Sequence, residues 1–129
     1  MRHEGSEAFA FLTEDAGFMG PEQIEHGISY HHADLCIDVC YFDYDGHDPE
    51  IVTLLAARTS DGTLAPSVSL DDAYVAADLG SAQEVPGSAE SSHAVRTRLL
   101  QHARALRSLL PLLHDGRAPH VLRRAGLGR

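Results

Sequence analysis

Nine histidines, two cysteines and nineteen carboxylates in 129 residues offer many donors for metal or acid–base chemistry, so their spacing decides what they can do. Cys36-x3-Cys40 is the first pair to weigh. It lies in Leu35-Cys-Ile-Asp-Val-Cys-Tyr-Phe42, an alternating run that reads as a strand. Residues four apart on a strand are about 13 Å from each other, at ~3.3 Å per residue. Two thiolates on one zinc, each about 2.3 Å from the metal, cannot span that distance, and neither can a disulfide. The pair therefore reads as two half-buried thiols in a reducing compartment. His31 and His32 are adjacent and point to opposite sides of an extended chain. A metal site there needs His26, Asp34 or His47 folded beside one of them. No His-Glu-x-x-His or comparable spacing is present, and scattered surface histidines are the expectation.

Asp43, Asp45, Asp48 and Glu50 crowd one short stretch, Asp43-Tyr-Asp-Gly-His-Asp-Pro-Glu50. Counting an EF-hand from Asp43 puts Asp48 where that loop needs Gly and Leu54 where it needs Glu. This excludes an EF-hand and leaves a looser calcium site as the alternative to an ordinary turn. Nucleophilic catalysis has no anchor: the chain lacks a Gly-x-Ser-x-Gly elbow, a Walker loop and a Gly-x-Gly-x-x-Gly after a strand. His47-Asp48 matches one fragment of HD-type phosphohydrolases, but those place further His and Asp on helices, and this pair falls in an expected turn. His102 sits on the apolar face of a helix and reads as a core or boundary histidine. No acid, base and nucleophile can be named together, so the expectation is no enzyme, no cofactor and no metal.

The elements that position these residues centre on a hairpin. Tyr30 to Arg58 carries β-branched and aromatic residues in two arms, with Gly46 and Pro49 between them. In the first arm Leu35, Ile37, Val39 and Tyr41 face one way, and Cys36, Asp38, Cys40 and Phe42 the other. In the return arm Ile51, Leu55 and Ala57 alternate with Val52, Leu54 and Ala56, so both faces are apolar. Such a strand is covered on both sides, or one side serves a partner. Upstream, Ser6 is expected to cap a short helix that ends at Gly17, with Phe18 folding back on Leu12. Gly20-Pro21 breaks regularity, Ile24 to Tyr30 reads as a weak strand, and His31 to Asp34 as its turn. Downstream, Ser67 lies in a short extended piece, and Ser69 with Asp72 resembles a capping box for a helix ending near Gly80. Residues 81–92 read as a mobile loop. From His93, Val95, Leu99, His102, Leu106, Leu109 and Leu113 share one helical face. Pro111 is expected to kink that helix or restart it, and Pro119 to Ala125 to add a last short one.

The first twenty residues carry Glu4, Glu7, Glu14 and Asp15 without a positively flanked apolar run, which argues against a secretory signal. No stretch reaches the ~18 continuous apolar residues of a membrane span, so the expectation is a cytoplasmic protein. Ten Arg and no Lys match the codon bias of a GC-rich bacterium. Charge is divided unevenly. Residues 1–92 hold 18 carboxylates against Arg2 and Arg58, a formal −16, while residues 93–129 hold eight Arg against Asp115, +7, which together give the chain's −9. Either the basic C-terminal helices compensate an acidic remainder, or an acidic surface is kept for a basic partner. Nucleic acid is disfavoured as that partner, since phosphates need a continuous basic patch.

Phe11-Leu-Thr-Glu-Asp-Ala-Gly-Phe18, Pro21, Asp34-Leu-Cys-Ile-Asp-Val-Cys-Tyr-Phe-Asp43, Pro49-Glu-Ile-Val52 and the terminal Leu112-Leu-His-Asp-Gly116 together resemble small bacterial proteins similar to immunity proteins of polymorphic toxin systems. The likeness spans most of the chain except residues 81–92, and its motifs are structural, so it carries no catalytic residue. It implies a cytoplasmic protein that works by binding another protein. The expected fold is α+β. A small antiparallel sheet centred on residues 35–57 has an N-terminal helix and C-terminal helices packed on one face, in a single domain. The expected function is non-catalytic binding of a basic protein, such as a toxin, through Asp38, Asp43, Asp45, Asp48 and Glu50. Two alternatives stand beside it: a homodimeric scaffold that buries Phe42, Val52 and Leu54, and a metal-dependent enzyme that uses the histidines.

Overall fold

The computed structural model describes residues 2–32, 34–43, 46, 48–59, 61–89, 92–113 and 118–127. The protein is α+β, with five antiparallel strands in sequential order and helices on one side of the sheet. Strand β3 (Leu35–Phe42) and strand β4 (Glu50–Ala57) form the expected central hairpin, with Leu35 opposite Ala57 and Phe42 opposite Glu50. The alternation of their apolar residues splits them between two faces, as a period of two requires.

The region before the hairpin departs from expectation. In place of one weak strand there are two, β1 (Met19–Ile24) and β2 (Gly27–His31), paired antiparallel through a turn at Glu25-His26. His26 takes the left-handed conformation, φ 67°, at this turn. Gly20-Pro21 lies inside β1 and does not end it. Because β1 is an edge strand and is bulged between Met19 and Glu22, a proline without an N–H is tolerated there. The fifth strand, β5 (Val68–Ser69), pairs with Leu54 and Leu55 and realises the short extended piece near Ser67.

The first helical region is also divided. Helix α1 (Arg2–Ala8) starts before Ser6, so Ser6 is inside a helix and does not cap one, and a break at Phe9-Ala10 precedes the short α2 (Phe11–Glu14). The C-terminal stop is as expected. Gly17 adopts φ 78°, and the Phe18 N–H donates to the Leu12 carbonyl at 2.9 Å. Helix α3 (Leu70–Ala76) has Ser69 at its N-cap, but the Ser69 hydroxyl donates to the Asp72 carboxylate at 2.8 Å and accepts no helix N–H. It ends short of Gly80, with Asp78 in the left-handed region, φ 58°. Helix α4 (Ser92–Leu113) passes through Pro111 to its end. Pro111 is two residues from that end, so the lost bond to the Arg107 carbonyl falls in the last turn and no restart is needed. Helix α5 (Ala118–Leu127) is the last described element. Among the described residues, no helix is long and apolar enough to cross a membrane.

One core lies between the helices and one sheet face. Ile28, Tyr30, Ile37, Val39, Ile51 and Leu55 of the sheet meet Phe9, Leu12, Leu70, Leu99, Leu106 and Leu109, all of them buried. Each such side chain contributes roughly 1.5–3 kcal/mol through burial. Residues 81–89, expected as part of a loop, hold a 3₁₀ turn (Ala82–Glu84) and sink Val85 and Ala89 into this core. The segment runs along β4, with Ile51 N–H donating to Gly87 O at 2.7 Å and Ala89 N–H to Pro49 O at 2.8 Å.

Two substitutions test the packing. A methyl group at Gly27 would land on the Val39 carbonyl, so Gly27→Ala should lose about 2 kcal/mol or more in urea unfolding. The Tyr30 hydroxyl is fully buried without a hydrogen-bond partner among the described residues, and burial pushes its phenol pKa up to about 12. Tyr30→Phe removes an unsatisfied group, so it should leave stability unchanged or raise it by about 1 kcal/mol under the same assay.

Candidate functional site

The second face of the sheet is where the candidate residues gather. Strand register places them in rows: Glu22, Ser29, Asp38, Leu54 and Ser69 run across all five strands. Beside them lie Ile24, Gly27, Cys40 and Val52 in one row and His31, Cys36 and Ala56 in another, with Phe42 opposite Glu50 at one end. None of Ile24, Cys36, Cys40, Phe42, Val52, Leu54 or Ala56 belongs to the core cluster, whose helical members all pack on the other face. Among the described residues, this face carries no covering element. Its centre is apolar, and carboxylates stand within it and around it.

A polar network crosses β1, β2 and β3 here. The Ser29 hydroxyl, only 2% exposed, donates to Asp38 Oδ1 at 2.5 Å, and the Cys36 thiol donates to the same oxygen at 3.6 Å. With its proton committed to Asp38, Ser29 Oγ accepts from His31 Nε2 at 3.2 Å, and His31 Nε2 also lies 3.3 Å from a Glu22 carboxylate oxygen. Serine, histidine, cysteine and aspartate thus meet, but in the wrong order for attack. The serine proton points away from the imidazole, and the oxygen is sealed from solvent. Burial raises the Cys36 thiol, opposed by the Ser29 hydrogen bond and reinforced by the Asp38 charge, and burial with Asp38 raises Cys40, so both stay protonated and inert at neutral pH. The network ties three strands together. Both cysteines are free and more deeply buried than the half-buried state expected of them.

The structure merges two sets of residues that sequence reasoning kept apart. Asp38 stands in the middle of the open face, and Glu50 and the apolar trio Phe42, Val52 and Leu54 share that face. Asp43 and Asp48 are exposed at the hairpin end, where the Tyr41 hydroxyl donates to Asp43 at 3.3 Å. Asp45 and His47 lie outside the described residues. The Phe42 ring packs against His26, 5.1 Å between centroids. Glu22, Ile24, Ser29 and His31 were missed as members of the face. Only their pairing with β3 reveals them, since β1 shows little alternation of its own. Among the described residues, no group of three or more His, Cys, Asp or Glu converges on a metal-sized site.

His102 occupies a second polar spot, on the helical side. It is 3% exposed, its Nε2–H donates to the Pro86 carbonyl at 2.8 Å, and its Nδ1 accepts from the Thr53 hydroxyl at 2.9 Å. Both ring nitrogens are satisfied by fastening residues 81–89 to β4. Beside it a cleft of about 430 Å³ opens where β5 ends, lined in part by Glu50, Asp71 and Asp72. Burial lowers the His102 pKa below 6.5, only partly opposed by the Pro86 carbonyl and Asp71. Family models, curated proteins and solved structures were each compared with the chain, and none matches.

Because His102 resists protonation in the folded state, the unfolded chain binds the extra proton first. Stability from this group is complete above pH 6.5 and falls as pH drops below it through the folded pKa. Chemical unfolding across pH 5 to 8 should show that acid-side loss, and His102→Gln should remove it while costing about 2 kcal/mol at pH 7.5.

Proposed function

We propose that this chain is a non-catalytic protein-binding protein whose open sheet face docks a basic partner, in the manner of an immunity protein that covers a toxin. The observation that carries this reading is the open face itself, where half-buried Val52 and Leu54 lie beside buried Cys40 and Ala56, with Asp38 among them and Glu22 and Glu50 toward the edges. A desolvated apolar centre bounded by charge is the anatomy of a specific interface, and the sign of that charge selects the partner. Asp43 and Asp48 extend the acidic rim at the hairpin end.

Three features support a basic protein over other occupants. The arginines of α4 and α5 belong to the helical layer, where Arg96 approaches Glu7 at 3.8 Å, Arg98 donates to Ser88 O and Gln101, and Arg107 lies over the Phe11 ring. None of these contacts engages the sheet-face carboxylates, of which Glu22 lies by His31 and Asp38 accepts from Ser29 and Cys36, both on the same face. The β1 edge carries Pro21 and a bulge, which disfavour strand addition and leave the face as the docking surface. A second copy docked face to face would set Glu22, Asp38 and Glu50 against their own images, which favours a basic partner over a homodimer.

Capture with the tagged protein at low salt, followed by affinity measurement on the basic protein recovered, tests this reading. Affinity should fall roughly tenfold when salt rises from 50 to 300 mM, and by a similar factor in Asp38→Asn with Glu50→Gln. An affinity indifferent to both would sink electrostatic docking on this face.

A further inference from the structure

Helix α5 does not close completely over the end of the sheet. Between it and the β4–β5 corner lies a groove of about 520 Å³, within the usual size range for small-molecule sites. Buried Ala57, Val68 and Leu122 form its floor, and exposed Ser67, Arg123 and Gly126 stand at its rim. The lining is apolar apart from a few groups at the mouth, which is how ligand pockets combine a hydrophobic bed with a polar group that fixes orientation. Arg123 has no carboxylate within ion-pair distance among the described residues. Arg124 lines a different groove, against Ala76 and Leu112, so among the described residues one guanidinium serves this mouth.

We propose that this groove binds a small carboxylic acid, its apolar chain or ring on the Ala57–Val68–Leu122 floor and its carboxylate on Arg123. The planar fork of one guanidinium matches a carboxylate with two parallel hydrogen bonds, whereas a dianionic phosphate calls for more donors than this rim holds. The groove lies on the helical side of the sheet, so it is independent of docking on the open face.

Decanoate and its neutral analogue decan-1-ol, each kept below the concentration at which it aggregates, are the probes for amide-resolved NMR titration of the full chain. Decanoate should produce saturable shifts centred on Ala57, Val68 and Leu122. Decan-1-ol should bind more weakly, by roughly three- to tenfold, and Arg123→Gln should erase that difference. Gly126→Phe supplies a plug: a Cβ added there meets nothing within 4 Å, so the variant keeps its dispersed spectrum while decanoate binding is lost. Absence of saturable shifts at the floor, or equal affinity for acid and alcohol, overturns the proposal. So do shifts at these amides that depend on protein concentration alone, since they give the groove to a second copy.

Discussion

The pairing of β3 with β4 imposes the constraint from which the rest follows. Ile51, Leu55 and Ala57 demand cover on one side, and the helices supply it through Leu99, Leu106 and Leu109. Val52 and Leu54 alternate with them, lie outside the core cluster and stay only half-buried. A strand of that composition in a five-stranded sheet with a single helical layer leaves apolar surface in water, and such surface marks interaction sites in soluble proteins. The polar network of Ser29, His31, Cys36 and Asp38 makes the open face tolerable without covering it, because its buried polar atoms satisfy one another.

The features legible in the sequence were those that depend on local period. Alternation defined β3 and β4, and the four-and-three spacing from Val95 to Leu113 defined the buried stripe of α4. Gly17 and Phe18 marked a helix stop because the left-handed residue and its fold-back contact are adjacent in the chain. The β1–β2 hairpin was not legible. Its turn, Glu25-His26, lacks the usual Asn-Gly or Asp-Gly signal, and His26 takes the positive φ that a glycine ordinarily would. Nor did α1 announce its early start, since Arg2, His3 and Glu4 are polar and carry no periodic stripe.

The candidate site was half legible for a related reason. Asp38 and Glu50 stood out as carboxylates, and Phe42, Val52 and Leu54 as an unassigned apolar set, yet nothing local joined them. Register did so, by setting Phe42 opposite Glu50 and Asp38 opposite Leu54. His102 was readable as a core histidine from its place on the stripe, but its partners Thr53 and Pro86 are 49 and 16 residues away. The charge division gained a spatial meaning in the same way, with the arginine-rich helices on one side of the sheet, the carboxylates of Glu22 and Asp38 on the other, and Glu50 at the edge between them.

The most direct measurement of the central claim compares charge insertion on the two sides of the sheet. Val52→Arg with Leu54→Arg places cations on the open face, and Leu100→Arg places one at an exposed position of α4 that is already half in water. Urea unfolding and capture of the basic partner are then read on the same samples. The account predicts that both variants fold with stability within about 1 kcal/mol of the parent, and that only the open-face variant loses the partner. Unfolding of the Val52 and Leu54 variant would show that this face belongs to the core, and undiminished capture would show that the partner docks elsewhere.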